Sequence, residues 1–167
     1  MSAIGLDFTK NLSYFTIPAV FIATCLGPHT LAVACSGKTY DNANPRALRD
    51  AVCKNDAIDK PVSLASHLFF FLQRQQMILR AKGASENGFE SLGLFAGGVL
   101  AANQAGLHAC VLNTLSIGYL AARLAYVFCY VKLGANRKLA GLRSLAWMVS
   151  VTLCLTMWVK AGIKAMQ

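Results

Sequence analysis

The sequence predicts an all-α integral membrane protein, a single domain built as a four-transmembrane-helix bundle. Three observations predict it. Hydrophobic residues make up 56% of the 167-residue chain and charged residues only 14%, against roughly a quarter charged in soluble domains. The apolar residues gather in long runs, and about 20 such residues span a bilayer. The cations collect between those runs, as loops on the cytoplasmic side of a membrane protein require.

The formal net charge of +9 raises nucleic acid as a partner. The distribution argues against it, because no aromatic–basic interleaving of the kind that stacks single strands is present. Cys25, Cys35, Cys53, Cys110, Cys129 and Cys154 show no CxxC or Cys/His spacing. They read as small buried hydrophobes, and no metal site, disulfide scaffold or catalytic thiol is expected.

The first ten residues carry no basic n-region and no small-residue cleavage site before the apolar run, which predicts an uncleaved first helix. The first span covers about 12–35 and contains Pro18 and Pro28. A proline is tolerated in a membrane helix when neighbours satisfy the freed carbonyl, so a kink is expected near Pro28-His29. His29, with no second histidine nearby, reads as a locally bonded polar residue at that kink.

Residues 36–80 form a polar, basic loop punctuated by Asn42-Ala43-Asn44-Pro45-Arg46. A helical pattern resumes near Ser63, so the second helix begins outside the membrane and its span covers about 84–103. Gly93 and Gly97, with Ala96 and Gly98, give the small-xxx-small spacing of closely packed membrane helices. Asn103–Gly106 is an uncharged turn on the opposite side. The third span covers about 107–133. Lys132, Arg137, Lys138 and Arg143 crowd the loop at 134–143, and the last span covers about 145–163. Four spans place both basic loops on one side.

The stretch from Arg80 to Phe95 carries the polar chemistry. Arg80 and Asn87 lie seven residues apart and Asn87 and Glu90 three apart, so all three share a helix face. Such a stripe entering a membrane is costly unless it faces protein or a polar ligand. The alternative is an interfacial helix with Arg80 snorkelling and Glu90 paired to an arginine. On the third helix Arg123, Tyr126 and Tyr130 share a face. An arginine that deep needs a partner, and Glu90 is the natural one. A structural ion pair with two core tyrosines reads these residues equally well.

Arg80-Ala81-x-x-Ala84-x-x-Asn87-x-x-Glu90, followed by Leu94-Phe95, resembles the second-helix signature of the MAPEG family, the membrane-associated proteins of eicosanoid and glutathione metabolism. Arg123-x-x-Tyr126-x-x-x-Tyr130 resembles its later active-site face, and Arg143-Ser144 an arginine–serine pair that opens the last helix in some members. The resemblance covers about residues 80–147. It implies a homotrimer with glutathione held between subunits near the cytosolic surface. The reduced cysteines and the absence of a cleavable signal suit the endoplasmic reticulum membrane. The resemblance implies that Arg80, Asn87, Glu90 and Arg123 bind glutathione. It also implies that Tyr126 and Tyr130 line the pocket, and that Arg137 (by distance after Tyr130) or Arg143 (by its context) stabilises the thiolate.

Glutathione carries two carboxylates and an ammonium, so arginines and one acid at helical spacing suit it. A thiol with pKa near 8.5 is mostly protonated at neutral pH, and a guanidinium shifts it toward thiolate. A shift of about two units corresponds to about 3 kcal/mol. One departure stands out: leukotriene- and prostaglandin-forming members carry an arginine four residues before the asparagine, where this chain has Gly83. The function expected is a membrane-embedded, glutathione-dependent transferase or peroxidase acting on a lipophilic electrophile from the bilayer. The alternatives are an isomerase or cyclase of a hydrophobic intermediate without glutathione, using Glu90, Tyr126 or His29, and a non-catalytic lipid-binding trimer.

Overall fold

The computed structural model describes residues 9–54, 65–134, 136 and 139–167, and within these every side chain outside 65–71 and 140. Among the described residues the chain becomes helical at Ser13. Helix α1 (Ser13–Val20) runs through a π-helical segment (Phe21–Leu26) into α2 (Gly27–Ser36). A short α3 (Leu48–Lys54) precedes the long α4 (Ala65–Gln104). Then come α5 (Ala109–Phe128), which ends in a second π-helical segment (Cys129–Leu133), and α6 (Ala140–Ala165).

The expected irregularity in the first span is present, one turn earlier than Pro28. Proline has no N–H, so the carbonyl four residues back, on Thr24, loses its helical donor. The chain widens into the π-helical turn there, and the Gly27 N–H bonds to Ile22 O. Helix α4 docks beside this turn: Ser85 Oγ donates to Cys25 O at 2.8 Å, and Gly88 approaches the freed Thr24 carbonyl. A Cβ at Gly88 would lie 2.5 Å from Thr24 O and 3.1 Å from Cys25 Sγ. The local bond expected at His29 is not formed among the described residues; the ring is half-buried in α2.

Among the described residues, three segments are long and apolar enough to cross a membrane: Ser13–Thr39, Ala109–Leu133 and Gly141–Ala165. Helix α4 is not among them. Its 40 residues span about 60 Å at 1.5 Å per residue, twice a bilayer's hydrocarbon core. Within its expected span, Glu86, Asn87 and Glu90 dilute the apolar character. Large side chains that face outward along the other helices, including Phe15, Phe128, Met148 and Val159, are more than half exposed, as lipid-facing surfaces are.

Two hydrophobic clusters are threaded by α4. One joins Val20, Phe95, Val99, Leu112, Tyr119 and Met157, where the Phe95 and Tyr119 rings stack at 4.0 Å. The other, at the basic end, joins Ala32, Leu48, Val52, Ile78, Ala81, Ala84 and Val131. Between them lies the polar stretch Ser85–Ser91. Helix α6 packs along α5 and α4. Gly97 and Gly98 seat Trp158, with the ring within about 3 Å of where their Cβ atoms would lie. The indole Nε1 donates to Leu94 O at 3.0 Å. The small residues therefore receive an aromatic side chain at 97–98, and Gly93 faces nothing within 4 Å inside the protomer.

Candidate functional site

The polar layer of α4 meets α5 through Arg123. This arginine is 1% exposed, and its Nη1 donates to Asn87 Oδ1 at 2.9 Å. The guanidinium also lies over the Tyr126 ring, with Cζ 4.7 Å from the centroid. Its Nε and Nη2 have no partner among the described residues. The pairing expected with Glu90 does not form; Glu90 is exposed on the outer face of α4. Three residues of helix turn a side chain by about 60°, enough to leave Asn87 facing α5 and Glu90 facing out. A neutral amide also meets a buried cation without desolvating a second charge, which is the larger penalty in a buried ion pair.

From Tyr126 the contacts continue toward the basic end. The Tyr126 and Tyr130 rings lie 5.7 Å apart, tilted at 48°. Arg143 stacks its guanidinium over Tyr130, Cζ 4.7 Å from the centroid. It does so from the first turn of α6, since that helix begins at Ala140, inside the stretch expected to be loop. Tyr126 is thus within electrostatic reach of Arg123, Arg143, Tyr130 and Glu90. The Tyr130 hydroxyl lies 3.0 Å from where a Cβ of Gly83 would be. Gly83 is the seat of Tyr130, and a longer side chain at 83 would occupy the same space.

Arg80 is half-buried and its Nε is buried without a partner among the described residues. Its Cδ passes 2.8 Å from the Cβ position of Gly134, and it borders a cavity of about 580 Å³ with Arg74, Met77, Val131 and Lys132. Lys82 pairs with Glu86 at 4.0 Å, a surface interaction worth little. Asn87, Arg123, Tyr126, Tyr130 and Arg143 therefore form one contiguous chain of contacts. Arg80 and Glu90 flank it on α4, and Arg137 lies outside the described residues. Among the described residues no three His, Cys, Asp or Glu side chains come together to hold a metal ion.

Sequence reasoning passed over Ser85 and Gly88, which dock α4 beside the π-helical turn of the first helix. A Ser and a Gly within the Arg80–Glu90 stretch were the available signal. Gly83 was noted as a missing arginine, and its positive role as a seat for Tyr130 depends on a contact between distant segments.

An arginine and a tyrosine pair at the end of a helix bundle, with cations facing a cavity, can bind an anion and hold a thiolate. No curated protein and no solved structure matches the chain. The model of the MAPEG family matches residues 65–163, more than half of the chain and the whole of the contact chain from Asn87 to Arg143, and the protein belongs to that family.

Proposed function

We propose that this protein is a glutathione-dependent membrane transferase, with peroxidase chemistry at the same thiolate. Its substrate is a lipophilic electrophile delivered through the bilayer. The second half of α4 serves as the fourth span, the subunits form a homotrimer, and both basic loops face the cytosol from the endoplasmic reticulum. The observation that carries this reading is the chain of contacts Asn87–Arg123–Tyr126–Tyr130–Arg143 in a family of membrane-associated glutathione proteins.

In this reading Arg80, Asn87 and Glu90 hold the charged ends of glutathione. Arg123, too buried to touch a ligand, holds Asn87 and Tyr126 in place. Arg143 lies flat on Tyr130, and its N–H edge stabilises the thiolate, with Arg137 the other arginine to be tested. The thiol gives up its proton to solvent water at the cytosolic mouth, the thiolate sulfur attacks the electrophilic carbon, and the leaving group departs with its bonding pair; Tyr126 or Tyr130 donates a hydrogen bond to the charge that develops. The test is equilibrium glutathione binding in lipid nanodiscs, with thiolate absorbance and conjugation of a chlorinated dinitroaromatic measured on the same sample. Loss of the thiolate signal in Arg143→Ala or Arg137→Ala supports the mechanism, and full activity in the double variant sinks it.

Gly83 supports a second reading, an isomerase or cyclase without glutathione, because Tyr130 fills the space beside it. Turnover that persists in glutathione-free membranes would favour that reading.

A further inference from the structure

Helices α2 and α4 and the π-helical end of α5 enclose the cleft of about 580 Å³ bordered by Arg74, Arg80 and Lys132. The three cations come from two elements, and none of the described residues that line the cleft is acidic. None of the three has a carboxylate partner among the described residues, where the one ion pair is Lys82–Glu86. Arg74 spends its Nε on Cys35 O at 2.8 Å, which fixes the guanidinium at the rim and leaves its terminal nitrogens for a ligand. Arg80 brings a buried Nε without a partner among the described residues, a donor that is costly to desolvate unless something accepts its hydrogen bond. Gly134 makes room for this arginine, since a Cβ there would meet Arg80 Cδ at 2.8 Å.

We propose that this cleft is a subsite for the net-negative headgroup of an anionic membrane lipid, whose phosphate and further negative group the cations hold together. Phosphate chemistry follows from convergent, unpaired guanidinium and ammonium donors, which bind such oxygens by charge-assisted hydrogen bonds. The lipid source follows from position. Two membrane-capable segments, Ser13–Thr39 and Ala109–Leu133, end at this level, the first just beyond Cys35 and the second beside Lys132, which is the depth of headgroups. Met77 and Val131 line the same cleft and give the glycerol and upper acyl chain an apolar wall. Basic pockets between membrane helices bind anionic headgroups in this way.

The subsite does not depend on glutathione chemistry. Arg80 borders both regions, so the test leaves it untouched. The full chain is placed in phosphatidylcholine nanodiscs with and without phosphatidylserine, and retained lipid is counted by native mass spectrometry beside the thermal midpoint. Phosphatidylserine is expected to remain bound and to raise the midpoint. Arg74→Gln/Lys132→Gln is expected to retain at least about tenfold less, since the loss of even one of the two charge-assisted contacts would give that. Lys132→Gln alone covers the case in which Arg74 is needed to fold, because Lys132 is exposed; it too is expected to reduce retention. Equal retention by Lys132→Gln and wild type overturns the proposal. So does an equal midpoint rise from inorganic phosphate in pure phosphatidylcholine, which would identify a free anion as the ligand.

Discussion

Arg123 and Asn87 join α5 to α4 through a single 2.9 Å hydrogen bond from Nη1 to Oδ1, deep in the bundle. A guanidinium has only donors, so the bond occupies the amide oxygen and turns the Asn87 NH₂ group away from Arg123. The pair sets the polarity of the site: a ligand that meets the Asn87 NH₂ group must accept a hydrogen bond. A glutathione carboxylate or peptide carbonyl meets that condition.

Removing the amide should cost more than removing both partners. Asn87→Leu leaves Arg123 buried with no oxygen to donate to, and unfolding in detergent is expected about 3 kcal/mol earlier than for wild type. Asn87→Leu/Arg123→Met removes the charge with its partner and is expected to recover most of that loss. A double-mutant cycle by reversible denaturation reads the coupling directly. Additive losses would mean that the bond contributes nothing.

Asn87→Asp separates fold from ligand. The carboxylate gives Arg123 an ionic partner at the cost of burying a second charge, and the two effects nearly offset, so the thermal midpoint should change little. The donor facing the pocket is lost, and a carboxylate ligand would meet a like charge. Glutathione binding is expected to weaken about tenfold or more, measured by calorimetry in nanodiscs. A variant that binds as tightly as wild type would show that the amide does not face the ligand.

The parts of this architecture legible in the sequence are those that depend on one segment at a time. Apolar runs announced the first, third and last spans, and Pro28 announced a break in the first. Its form, a π-helical turn placed ahead of the proline, depends on Ser85 and Gly88 arriving from another helix. Helical periodicity put Asn87 and Glu90 on one broad face, yet could not resolve the rotation that sends one to Arg123 and the other outward. The cations at 137–143 read as loop because of their charge. Arg143 nonetheless opens a helix, where the Tyr130 ring gives it a stacking partner. Contacts between glycines and distant groups left no trace in spacing alone.

Two glycines of α4 should answer differently to the same substitution. Ala at 88 would press against the Thr24 carbonyl, backbone that cannot swing aside, and a loss of about 1–3 kcal/mol is expected, as for other overpacked sites. Ala at 93 meets nothing within 4 Å in the protomer and replaces a poor helix former, for a gain of up to about 1 kcal/mol. Thermal midpoints of Gly88→Ala and Gly93→Ala in one detergent make the comparison. Equal effects would mean that α4 does not approach the first helix at Gly88.

Gly83, Tyr130 and Arg143 form a stack whose order can be tested from either side. Gly83→Arg needs the volume that the Tyr130 hydroxyl now holds, so it should displace the ring and unseat Arg143 from its face. Arg143→Lys keeps the charge but loses the planar stacking of a guanidinium. Both variants are expected to lower the glutathione thiolate signal, while only Gly83→Arg lowers the thermal midpoint. Pairing Gly83→Arg with Tyr130→Ala opens the space and should restore the midpoint without restoring the thiolate. If the double variant stays as unstable as Gly83→Arg alone, Tyr130 is not what limits the side chain at 83.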